Sequence, residues 1–136
     1  MSVKITGKYV AGLKTEMIHG PSGKTLMTAA PVDNQGDGSS FSPTDLVVTA
    51  LGSCMVTIMG IVAQRNQIKI DGLRFEMEKH METTPRRVGR IPIRIYMPTG
   101  LSLEDRKRLE QAASTCPVAQ TLHPDVKKEV QFIYPD

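Results

Sequence analysis

The run PTDLVVTALGSCMVTIMGIVAQR, the longest apolar stretch of the chain, constrains the fold more than any other segment. Its start is chemically explicit. Ser42 suits the N-cap, Pro43 suits the first helical position, and Asp45 stands three residues after the cap, where an acid closes a capping box. These signals predict a helix from Pro43 to about Arg65 that is apolar on nearly all sides and must be surrounded by protein. In a chain of 136 residues, enough for one domain with its own core, so thoroughly buried a helix points to a dimer that helps cover it. The stretch 46–63 has about the length of a membrane span, but Thr49, Gly52, Ser53, Thr57 and Gly60 interrupt it and Asp45 and Gln64 flank it. A buried helix of a soluble core is the reading adopted, with no membrane partner.

The remaining elements follow from periodicity and punctuation. Val3, Ile5 and Tyr9, then Leu13, Thr15 and Met17, then Leu26 and Thr28 alternate between glycine-bearing turns, which predicts three short antiparallel strands. The segment 31–41, PVDNQGDGSSF, is a loop; it has no G-x-G-x-x-G and no following Lys-Ser/Thr, so it is no phosphate cradle. Leu73, Phe75 and Met77 alternate with Arg74, Glu76, Glu78 and His80, a strand with one polar face. A loop is expected from Thr83 to Gly89. Ile91, Ile93, Ile95 and Met97 then form a strand that Pro92 forces to be an edge or bulged. Ser102 caps a helix to about Ser114, Cys116-Pro117 opens a short one to Leu122, and Lys128–Tyr134 is a last strand. The order is α+β with mostly antiparallel sheet, in a single domain over 1–136.

Charge excludes little. Seventeen basic against fourteen acidic residues give a net +3, and the clusters Arg86-Arg87-Arg90 and Arg106-Lys107-Arg108 lack interleaved aromatics, so they read as solvated faces, with no nucleic-acid partner. The three histidines, His19, His80 and His123, show no metal-ligand spacing, so neither a metal nor another cofactor is expected. Two cysteines without an export signal point to a reducing cytoplasm, where a disulfide is transient more often than structural.

Those cysteines, Cys54 and Cys116, stand 62 positions apart. Cys54 lies deep in the apolar helix, where burial raises a thiol pKa. Cys116 precedes Pro117 at a helix start, where free N–H groups favour a thiolate, so helix-end physics makes Cys116 the more activated thiol. The residues alone leave two readings open: a redox couple, or two inert core thiols. Gly52 and Ser53 beside Cys54 likewise serve either close packing or room for a substrate, and Met55 and Met59 belong to the core or line an apolar pocket.

SPTDLVVTALGSC, followed at that distance by CPVAQTL, resembles the OsmC/Ohr superfamily of osmotically inducible and organic hydroperoxide resistance proteins, and the likeness runs through essentially the whole chain. The resemblance implies an intertwined homodimer with active sites at the subunit interface. It implies a thiol-dependent peroxidase in which Cys54 attacks a small organic hydroperoxide and Cys116 resolves the sulfenic acid to a disulfide, which an external dithiol reduces. Family peroxidases activate the first cysteine with an N-terminal arginine held by a glutamate early in the central helix. Here no arginine precedes Arg65, and Thr44 takes the glutamate's place with Asp45 beside it. Asp45 is thus either an activating acid or simply the cap of its own helix. Lys14, Lys24, His19, Arg86, Arg87 and Arg90 are the candidate cations. The alternative function is a non-catalytic dimeric module that binds a small apolar or thiol-reactive ligand at the interface.

Overall fold

A computed structural model describes all 136 residues, which group into two compact units, Met1–Leu46 and Val47–Asp136. The first unit is a three-stranded antiparallel sheet in the order β1 (Ile5–Ala11), β2 (Lys14–His19), β3 (Thr25–Ala29). It ends in the segment 31–41, which carries a short 3-10 turn at Val32–Asn34. This segment is tightly built. The N–H groups of Gly36 and Gly38 donate to the carbonyls of Pro31 and Ala30 (2.9 and 3.2 Å), and Lys14 Nζ reaches Asp37 at 2.7 Å. Lys14, with help from Ser39, holds the Asp37 carboxyl well below the usual carboxylate range.

Helix α1, Pro43–Arg65, has the predicted limits. Its capping box is reciprocal: Asp45 N–H donates to Ser42 Oγ (3.0 Å), and Ser42 N–H donates to the Asp45 carboxylate (2.9 Å). A cap of this kind contributes about 1 kcal/mol. Within the second unit α1 buries one face, made by Val48, Leu51, Gly52, Met55, Met59 and Ala63. The single chain leaves the other side open, which is the side the expected dimer would cover. Val47, Ala50, Thr57 and Ile61 are exposed and Cys54 is half-buried on a stripe spaced alternately by three and four residues.

Against the buried face of α1 lie β4 (Arg74–Met77), β5 (His80–Thr83), β6 (Arg86–Tyr96) and β7 (Lys127–Ile133), with helices α2 (Leu103–Ala113) and α3 (Pro117–Thr121). β6 is central: β4 and β5 pair antiparallel along one side and β7 runs parallel along the other. A parallel neighbour needs a crossover, which α2 and α3 supply. Val88, Ile91, Ile93, Ile95 and Met97 face the core, whereas Arg90, Pro92, Arg94 and Tyr96 face outward, as their alternation predicts. Pro92 is on a central strand and not at its bulge, which lies at His80/Met81. It sits opposite Glu78, in the gap between β4 and β5, where Glu78 N–H reaches its carbonyl at 3.0 Å, so the expectation of an edge or a bulge at this residue is not met. A second expectation fails here. The segment 83–89 is largely strand, the end of a hairpin turning at Thr84-Pro85. Its solvent-facing charges hide the alternation, and the facing pair Glu82 and Arg87 (3.0 Å) joins its two arms.

Candidate active site

Two elements of the second unit bring the thiols together. Cys54 sits at the middle of α1, between the buried face and the uncovered stripe. Cys116 follows α2, whose Leu109 and Ala113 are buried in the same core, and forms the N-cap of α3 ahead of Pro117. The packing of α2 and α3 on that core brings two free thiols that are 62 positions apart in sequence close enough to influence each other's titration.

Their environments differ in the sense opposite to that expected from helix-end physics. Cys116 is 0% exposed. Burial pushes its thiol pKa up and the Cys54 hydrogen bond pushes the same way, while the N–H groups of Val118 and Ala119 pull it down to a lesser degree. Those N–H groups of the helix end do not offset the burial, so Cys116 is not an activated thiolate. α3 is only five residues long, and its dipole is correspondingly small beside the cost of desolvating a charge. Of the two thiols, Cys54 is the one with access to solvent.

Immediately beside Cys54, Gly52 serves close packing. A Cβ there would stand 2.5 Å from Met77 Sδ, so Met77 already fills the space beside that glycine. Met55 and Met59 are buried in the core, 4% and 0% exposed, and line no open pocket. The cationic candidates are largely engaged elsewhere. Lys14 pairs with Asp37, His19 Nδ1 with Ser22 Oγ (2.6 Å), Arg87 with Glu82 and Asp125, and Arg90 with Glu129 and His80. Arg86 lies at the exposed end of the β5–β6 hairpin. Lys24 and His19 rim an apolar cavity of about 380 Å³ in the first unit, floored by Ile5, Met17, Leu26 and Leu46. Asp45 places its carboxylate on its own helix cap, nine positions before Cys54. The Met77 contact and the Val118 and Ala119 N–H groups are site features that sequence reasoning missed. Only the small Gly52 hinted at the first, and nothing local marked the others.

An α+β fold that presents a central-helix cysteine to a buried Cys-Pro thiol defines a class of small dithiol proteins. The model of OsmC-like proteins matches residues 36–131, and this chain belongs to that family, within the OsmC/Ohr superfamily. Among solved structures it is similar to a protein from Psychrobacter arcticus provisionally described as an osmotic stress induced and detoxification response protein. The two share 43% identity, with 97% of this chain and 95% of the other covered, at a TM-score of 0.89. It also shares its fold with an OsmC-like protein from Mycoplasma pneumoniae (16% identity, 98% and 97% covered, TM-score 0.81). The organic hydroperoxide resistance protein OhrB of Bacillus subtilis is a further neighbour (15% identity, 97% and 98% covered, TM-score 0.68). No curated protein matches the chain.

Proposed function

We propose that this protein is a cytoplasmic, homodimeric thiol peroxidase that reduces small organic hydroperoxides. The proximity of a solvent-accessible Cys54 to a buried Cys116 carries the reading. The Cys54 thiolate attacks the peroxide O–O bond, taking one oxygen as a sulfenic acid and releasing the other as the alcohol. Cys116 then displaces that oxygen as water and closes a disulfide, and an external dithiol restores both thiols. The protected, uncharged position of Cys116 suits a thiol that reacts only with its neighbour. Family resemblance to proteins named for organic hydroperoxide resistance supports the substrate class.

The test uses reduced protein and stoichiometric cumene hydroperoxide. Both free thiols should disappear and peptide mass spectrometry should recover a Cys54–Cys116 disulfide, while Cys116→Ser should leave a dimedone-trappable sulfenic acid on Cys54. Survival of both thiols for many minutes would refute the peroxidase and leave the non-catalytic reading, a dimeric module holding a small apolar or thiol-reactive ligand. The pairing of Arg87 with Glu82 and of Arg90 with Glu129, both inside the unit that carries the thiols, is the observation that favours that second reading.

A further inference from the structure

We infer that Arg106 is a positioning residue for Cys116, the resolving thiol of the cycle proposed above: it clasps the segment after β7 onto α2, and the clasp keeps Cys116 sealed from external thiols and oxidants. The role rests on that reading of Cys116; the seal itself does not. Cys116 is 0% exposed in the cluster that contains Leu109, Ala113 and Val126, all of them in the second unit of one chain, so its burial does not depend on a second copy.

The clasp joins three segments through one side chain. Arg106 Nε donates to the Leu101 carbonyl (3.2 Å), its Nη2 donates to the Asp136 carboxylate (3.0 Å), and its guanidinium lies 4.2 Å from the centre of the Tyr134 ring. Asp136 in turn accepts the Gly100 N–H (3.0 Å), and the Tyr134 hydroxyl donates to Glu110, one turn along α2 from Arg106. Burial and the Glu110 carboxylate push the Tyr134 pKa up, so the phenol keeps the proton it donates. Arg106 is also the most covered of the paired arginines. Its side chain is 20% exposed against 34–43% for Arg87, Arg90, Arg94 and Arg108, so solvent screens its contacts least.

What these contacts add to α2 is direction. Leu109, Ala112 and Ala113 bury its inner face, but apolar burial is non-directional and holds a helix down without fixing how far it slides. The Arg106 donors fix α2 at one position against the segment after β7. Hydrogen bonds then carry that position to the thiol. Ala113 lies about two turns beyond Arg106. Thr115 N–H donates to the Ala112 carbonyl (3.0 Å), Cys116 N–H to that of Ala113 (3.4 Å), and Gln120 N–H to that of Cys116 (3.2 Å). Loss of the clasp therefore loosens α2 and α3 together, the two elements that cover Cys116.

The experiment measures how fast N-ethylmaleimide alkylates Cys116 in folded Cys54→Ser protein, with no peroxide present. Arg106→Ala and Asp136→Ala are each expected to raise that rate at least tenfold. The double variant should raise it no further than Arg106→Ala alone, because both changes open one clasp. Phe75→Ala, on β4 across β6 from β7, is the comparison. Brought to the same stability by urea, it should leave Cys116 protected. Equal alkylation of Phe75→Ala and Arg106→Ala at matched stability, or effects of the two clasp variants that multiply, would overturn the inference and leave Arg106 a structural residue only. Fast alkylation in the clasp variants of a protein whose thiols ignore cumene hydroperoxide would sink the peroxidase reading and leave the clasp standing. A peroxide-formed disulfide with alkylation unmoved would do the reverse.

Discussion

At the scale of single residues, two glycines separate what a missing side chain can do. Gly36 approaches the Ala30 carbonyl so closely that a Cβ would lie 1.8 Å from its oxygen, and backbone cannot step aside. Gly36→Ala is expected to cost at least about 2 kcal/mol, read as a lower urea midpoint or faster proteolysis within 31–41. Gly52 meets a flexible neighbour instead, Met77. Alanine there gains about 1 kcal/mol of helix propensity, set against an overpacking cost of about 1–3 kcal/mol. The cost wins because the site is buried. Gly52→Ala should therefore destabilise, and Met77→Ala in the same chain should recover part of the loss in a double-mutant cycle; simple additivity would argue against the contact. Close packing was one of the two readings that sequence offered for Gly52, though not its partner, and the role of Gly36 was not legible at all. Both depend on a neighbour 6 or 25 positions away.

Among the elements, the segment 31–41 and the outer face of the larger sheet show how far charge reaches. Asp37 is exposed, and its carboxyl pKa is depressed first by Lys14 and then by Ser39. A depressed carboxylate contributes above its unfolded pKa, near 3.8, and that contribution fades as pH falls through the lower folded value. Protease resistance of 31–41 should therefore be flat from pH 7 to about 4 and weaken only below it, whereas Asp37→Asn should weaken it at neutral pH. Equal cleavage of the two proteins at pH 7 would exclude the clamp. On the sheet, Glu76, Arg94, Glu78, His80, Arg90 and Glu129 form one connected polar chain across β4, β6, β5 and β7. Its members are exposed, so each pair contributes at most about 1 kcal/mol. The basic residues that the sequence groups as clusters are here answered by acids of their own chain, Arg106 by Asp136 and Arg108 by Glu104 and Asp105.

For the whole molecule, the apolar surface left uncovered matters most. In the first unit Ile5, Tyr9, Leu13, Leu26 and Phe41 are 44–66% exposed, and along α1 Val47 and Ile61 are 37% and 40% exposed. Apolar residues spaced by three and four on one helix make a seam that packs against protein. A homodimer of twice the 14.9 kDa chain is expected in sedimentation equilibrium. The double variant Val47→Asp and Ile61→Asp should weaken it at least tenfold while keeping its circular dichroism. A wild-type monomer at micromolar concentration would remove the dimer from the proposed cycle.

The sequence by itself determined the local elements. The limits of α1, its capping box, the alternation of β6 and the Ser102 cap were all legible, because each arises from residues within one or two turns of one another. The hairpin over 83–89 was not, since its pairing crosses strands and its side chains face water. Sequence also supplied the two cysteines and, through resemblance, their pairing. Tertiary structure decided how they differ. The solvation of Cys116 is a property of everything packed around it, and burial under α2 and α3 outweighs the few free N–H groups of a five-residue helix.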